Sequence, residues 1–120
     1  MQGDLDDINT IYYNDFGIAF QWKQGRAKYT NKVQLVFRHT GLFLTSSELH
    51  AFSKTVSKTF ENPPLCNDCK DNKECKSLLI NTPAHQVSFA MSYDEVEQLN
   101  DLIEGTLFQL NLDDMLGKII

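Results

Sequence analysis

Apolar and polar positions alternate with a period of two through the first third of the chain, then switch twice to a helical spacing. After an acidic lead over residues 1–6, the run Ile-Asn-Thr-Ile-Tyr-Tyr-Asn over 8–14 is rich in β-formers, and Asn14-Asp15-Phe16-Gly17 is turn chemistry before a second run over 18–23. A hairpin is predicted there. In its second strand Ile18, Phe20 and Trp22 share one face and Ala19 and Gln21 the other, as in a half-buried strand. Residues 24–31 are polar, hold Gly25 and read as a connection.

A third strand is predicted over 32–38, with Val33, Leu35 and Phe37 on one side and Gln34, Val36 and Arg38 on the other. His39-Thr40-Gly41 turns the chain into a fourth strand over 42–44. Thr45-Ser46-Ser47-Glu48 then reads as a capping box, in which hydroxyl and carboxylate each accept the other residue's amide. The helix it opens carries one apolar stripe, Leu49, Phe52, Val56 and Phe60, and stops at Asn62-Pro63-Pro64 because proline disfavours helical geometry in the residue before it.

The same order recurs. Strands over 77–81 and 86–91 flank the turn Thr82-Pro83-Ala84, and Ser92-Tyr93-Asp94-Glu95 is a second capping box. Val96, Leu99, Leu102, Ile103 and Leu107 form the second stripe, which Gly105 interrupts or ends. For 107–120 the pattern leaves open a continued helix or a short extended piece followed by a helical turn. A constant offset of 47 residues lays Leu44 on Met91, Thr45 on Ser92, Glu48 on Glu95, Phe52 on Leu99 and Val56 on Ile103. The expectation is an internal β-β-α duplication within one α+β domain, a two-layer sandwich whose mainly antiparallel sheet of about six strands carries two helices on one face. Its parts are the lead (1–6), an N-terminal hairpin and connection (8–31), a first unit (32–60), a loop (61–76), a second unit (77–107) and a tail (108–120).

Composition narrows the function classes. A formal charge of -5 argues against a broad basic surface for nucleic acid or anionic lipid, the one basic cluster being Lys23, Arg26, Lys28 and Lys32 around Tyr29. No apolar run approaches the roughly 18 residues of a membrane span, and an acidic N-terminus is unlike a signal peptide, so a cytoplasmic protein is expected. The aromatic excess in the first hairpin, Tyr12, Tyr13, Phe16, Phe20 and Trp22, favours a protein partner or self-association as a homodimer, and the open sheet face is a weaker candidate for a small-ligand surface.

The candidate chemistry lies in the loop, where Cys66, Cys69 and Cys75, all the cysteines of the chain, fall within ten polar residues. The two-residue gap lets Cys66 and Cys69 chelate one zinc ion as thiolates, Cys75 adds a third sulfur, and His85 is the nearest imidazole for the fourth position, with Asp68 or a residue of a second subunit as substitutes. An iron-sulfur cluster, a disulfide with one thiol left over, a thiol redox switch and inert free thiols are the alternatives. Thioredoxin-like catalysis is disfavoured because the Cys-x-x-Cys follows Pro63-Pro64 instead of a strand. His39 and His50 read as surface histidines, Asp94-Glu95 and Asp113-Asp114 as charges at helix starts, Ser46-Ser47 lacks a nucleophile turn, and the six glycines are dispersed.

The Tyr13-Asn14-Asp15-Phe16-Gly17 hairpin, the strand pair ending in Leu44-Thr45-x-x-Glu48, and Cys-x-x-Cys-x5-Cys-Lys-Ser-Leu-Leu-Ile-Asn-Thr-Pro together resemble a family of small uncharacterised bacterial proteins over most of the chain. That resemblance implies no activity. The expected function is a non-enzymatic interaction or structural domain with a zinc-binding loop, the alternative a thiol redox protein or sensor.

Overall fold

A computed structural model of the chain describes residues 8–24, 28–29, 31–63 and 78–119. The described elements run β1 (Ile8–Tyr13), β2 (Gly17–Gln24), β3 (Lys28–Tyr29), β4 (Val33–Phe37), β5 (Thr40–Leu44), α1 (Ser46–Glu61), β6 (Leu78–Asn81), β7 (Ser88–Met91) and α2 (Tyr93–Ile119). An antiparallel sheet has the order β1-β2-β4-β5, with the two-residue β3 paired to the end of β2 inside what reads in sequence as a plain connection. Among the described residues β6 and β7 pair only with each other.

The expected single sheet of about six strands is therefore overturned, while the α+β class stands. Alternation along a strand fixes which side chains share a face, but the neighbouring strand is chosen by distant packing. Here β6 packs against α1 and buries Leu78 and Ile80. β7 abuts the end of β4, where the Phe89 ring meets Phe37 edge-on at 5.1 Å and the Arg38 guanidinium donates to the Ala90 carbonyl at 3.4 Å. No strand of this hairpin hydrogen-bonds to the edge of β5.

The core lies between the main sheet and the helices. Cross-strand register aligns Ala19 with Leu35 and Leu42, Gly17 with Phe37, and Val33 with Leu44; Val33, Leu35, Phe37 and Leu44 are buried and Leu42 partly so. β2 gives the core only Gly17 and Ala19, which leaves room for Leu102 of α2. From the helices come Leu49, Phe52 and Val56 on one side and Val96, Leu99, Leu102 and Ile103 on the other, each almost fully enclosed. Enclosing such a side chain stabilises the fold by about 1.5–3 kcal/mol.

Both capping boxes form. The Glu48 amide donates to Thr45 Oγ1 at 3.1 Å while the Thr45 amide donates to Glu48 Oε1 at 2.9 Å; Glu95 and Ser92 repeat the exchange at 3.2 and 3.0 Å. α1 ends with the Asn62 amide donating to the Lys58 carbonyl, just ahead of Pro63. α2 passes through Gly105 without a break and runs to Ile119, which settles the alternatives left open for 107–120 in favour of helix up to that residue. Where the helices meet, the Ser53 hydroxyl donates to Glu104 Oε1 at 2.6 Å and the Ser57 hydroxyl to Asn100 Oδ1 at 2.9 Å. Ser53 and Asn100, like Ser57 and Glu104, are 47 residues apart, so the two contacts exchange under the same offset that relates the caps.

Candidate functional site

The cysteines Cys66, Cys69 and Cys75 lie outside the described residues, as does Asp68. His85 is described, exposed in the turn between β6 and β7. Thr82 organises that turn: its hydroxyl donates towards the Ala84 and Val87 carbonyls, both at 2.9 Å, and accepts the Ala84 amide at 3.2 Å. Among the described residues no group of three or more His, Cys, Asp or Glu side chains gathers as a metal site.

The most extended chemical feature is the outer face of the main sheet. Register places Ile8, Ile18, Phe20, Trp22, Val36 and Phe43 on the side opposite the core, in cross-strand contact through β1, β2, β4 and β5. Phe20 and Trp22 meet edge-to-face at 5.1 Å, the Trp22 indole N–H donates to Gln34 Oε1 at 3.2 Å, and Lys32 Nζ stands 5.1 Å from the centre of the Phe43 ring. Phe43 is 44% exposed and Tyr13, at the same face's margin, 70%. This surface is apolar and aromatic, with one polar bridge holding the indole in place.

A polar anchor joins the first hairpin to α2. The Tyr12 hydroxyl donates to Asp101 Oδ2 at 3.0 Å, and Asn14 Nδ2 donates to the same oxygen at 2.9 Å and to the Gln98 carbonyl at 3.0 Å. Asn14 Oδ1 meanwhile accepts the amides of Phe16 and Gly17, so one side chain shapes the turn and docks it. The hydrogen bond to Asp101 raises the Tyr12 phenol above its ordinary pKa, with burial and the carboxylate's charge adding in the same direction. The cluster is exposed and orients the hairpin; nothing in it assembles a nucleophile with a base.

No family model, curated protein or solved structure matches this chain.

Of the other histidines, His39 occupies the β4–β5 turn and His50 lines a cleft of about 310 Å³ between the start of α1 and the far half of α2, with Ser46, Leu107, Leu110, Asn111 and Asp114. Beyond that cleft α2 exposes Phe108, Leu112, Met115 and Leu116. No helix of the described residues is long and apolar enough to cross a membrane. Sequence reasoning separated the two faces of β2 but not which one meets the core. Only the pairing of Ala19 with Leu35 and of Ile18 with Val36 decides that. The strict alternation of Val33, Leu35 and Phe37 was the available signal, and it becomes informative for β2 once the register is known.

Proposed function

We propose that this protein is a small interaction domain that works by binding another protein, with the outer face of the main sheet as its contact surface. The observation that carries this reading is the orientation of β2, which turns Ile18, Phe20 and Trp22 away from the core and gives the core only Gly17 and Ala19. Leaving apolar surface in water forgoes about 25 cal/mol per Å² that a partner recovers on contact. The acidic balance of the chain favours a protein over nucleic acid as that partner. The test uses the full chain as bait in three forms: unchanged, Phe20→Lys, and Lys54→Glu on the exposed side of α1. A protein held by the first and third but not the second, whose purified form shifts Trp22 emission to the blue, supports the reading. Equal retention by all three overturns it, provided Phe20→Lys melts like the parent.

For the connection between α1 and β6 we propose a zinc clip formed by the thiolates of Cys66, Cys69 and Cys75, supported by their softness and by the chelating Cys-x-x-Cys gap. Zinc there would order a polar crossover and would supply no chemistry. His85 as fourth ligand carries a geometric condition. Its turn lies at the end of the hairpin away from Leu78, about 10 Å along β6, so a Cys3His set requires residues 66–75 to run back beside that strand. Asp68 or a residue of a second copy carries no such condition. Metal analysis of protein purified without added zinc decides between the clip and the redox alternative. Less than about 0.3 metal per chain with a chelator-insensitive melt removes the clip, and rapid, selective alkylation of Cys66 or Cys69 near neutral pH puts a thiol sensor in its place.

A further inference from the structure

The backbone conformation at Gly41 does not require a glycine. Gly41 sits inside β5, its φ lies outside the left-handed region, and a Cβ there would meet only the amide end of Gln34 at 2.9 Å and Val36 Cγ2 at 3.9 Å. That flexible end can move aside, at the cost of the hydrogen bond it accepts from the Trp22 indole. Glycine inside a strand weakens it and is characteristic of places where another chain approaches closely.

The two edges of the sheet differ. Pairing along β1 is interrupted by a bulge between Thr10 and Tyr12, a device that blunts edges against further strands. β5, Thr-Gly-Leu-Phe-Leu, has no bulge, proline or charge, and no strand among the described residues pairs with its other side. The turn Arg38-His39 closes on Phe37 and Thr40 as a hydrogen-bonding pair, so along β5 the bonding alternates. Leu42 turns its N–H and C=O inwards to Leu35, whereas Gly41 and Phe43 direct theirs to the open edge. The Val36 carbonyl, which points at Gly17 on β2 and away from Gly41, shows the same phase.

We propose that a second copy of this chain adds to that edge, β5 against β5, antiparallel about a two-fold axis at Leu42. This deepens the reading of the protein as an interaction domain by naming one partner, and it rests on that reading but not on the outer face being the contact surface. The register puts Gly41 of each copy opposite Phe43 of the other, so the groups that point outwards in one strand meet those of its mate. It also brings each half-exposed Phe43 ring onto the partner's Gly41, where a larger side chain would obstruct it. No like charges meet within residues 40–44, and His39 of one copy comes opposite Thr45 of the other, beside the acidic Glu48 in the first turn of α1. An edge contact of this kind falls at the small end of interfaces, below about 1,200 Å² in total, so the dimer is reversible and concentration-dependent.

Sedimentation velocity of the full chain over a concentration series, with amide exchange followed residue by residue, tests this. The expected result is a reversible dimer in which the Gly41 and Phe43 amides gain protection as it forms, while the Leu42 amide is protected throughout. Gly41→Val weakens dimerisation at least tenfold, about the smallest step that separates clearly in such a series, while Gln34→Ala, which removes the amide that valine would displace, leaves dimerisation intact. A chain still monomeric at millimolar concentration, or a dimer with freely exchanging Gly41 and Phe43 amides, overturns the proposal. Phe20→Lys separates it from the outer-face reading: the β5 dimer survives that change, so a dimer lost with Phe20→Lys and kept with Gly41→Val refutes the edge contact and places the contact on the outer face.

Discussion

The ring of Tyr12 occupies the space that a Cβ on residue 105 would take, so the glycine in the middle of α2 is there for the strand that lies across it. Alanine is the better helix former by about 1 kcal/mol, and the usual expectation is that Gly105→Ala stabilises. Here the forced shift of the Tyr12 ring, an overpacking cost of about 1–3 kcal/mol, outweighs that gain, with a net loss of up to about 2 kcal/mol by urea denaturation. In a Tyr12→Ala background the same change should stabilise. A stabilising Gly105→Ala in the parent would show that the ring moves freely.

The anchor below that ring has a pH signature. Tyr12 is raised above its ordinary value of 10.0, first by its hydrogen bond to Asp101, so the folded state holds the phenolic proton more tightly than the unfolded chain. The resulting stability is complete below the unfolded value and is lost as pH rises through the folded one. Asp101→Asn should bring the tyrosinate absorbance titration of Tyr12 back down and flatten the alkaline limb of stability. An unchanged titration would mean that the hydrogen bond does not form in solution.

The first capping box predicts the opposite limb. The Thr45 amide, then the Thr45 hydroxyl, hold the Glu48 carboxyl below its ordinary 4.5; burial opposes them, and Lys32 adds the least, in the lowering direction. Its contribution is present above that ordinary value and is lost as pH falls through the folded one. Thr45→Ala should cost about 1 kcal/mol and make the acid limb shallower. Ser92→Ala, at the equivalent place in the second cap, should cost a similar amount, about 1 kcal/mol.

Arg38 has a positive φ of 57°, a conformation in which a side chain is strained, and its guanidinium reaches Glu95 at 3.6 Å. The ion pair is partly exposed and weak. Arg38→Ala loses it and keeps the strain, whereas Arg38→Gly loses it and relieves the strain. Glycine should therefore be the more stable of the two by about 1 kcal/mol, the reverse of their usual order outside turns. Equal melting temperatures would show that the turn relaxes once the arginine is gone.

Local order was legible in the chain wherever it depends on neighbours in sequence. Thr45 with Glu48 and Ser92 with Glu95 are three residues apart, so both helix starts could be read directly. The stripes through Leu49 to Phe60 and Val96 to Leu107 needed only the helical period, and Pro63 sufficed to stop α1. The 47-residue offset was visible for the same reason, because it is a comparison of sequence with itself.

What the tertiary structure alone decided is partnership across distance. Period two separates the faces of β2 but gives them no inside or outside, and only register with Leu35 and Val36 made the aromatic side the outer one. Six strands of similar character invite a single sheet, yet β6 found α1 and β7 the end of β4, because packing of Ile80 and Phe89 lies beyond any local pattern. Gly105 reads in sequence as an interruption or end of the helix, since a glycine does not reveal whether it frees the backbone or makes room for a ring 93 residues earlier in the chain. Gly41 poses the same question one level higher: its backbone needs no glycine and only the movable amide end of Gln34 crowds it, so the proposed reason for it lies in a second copy.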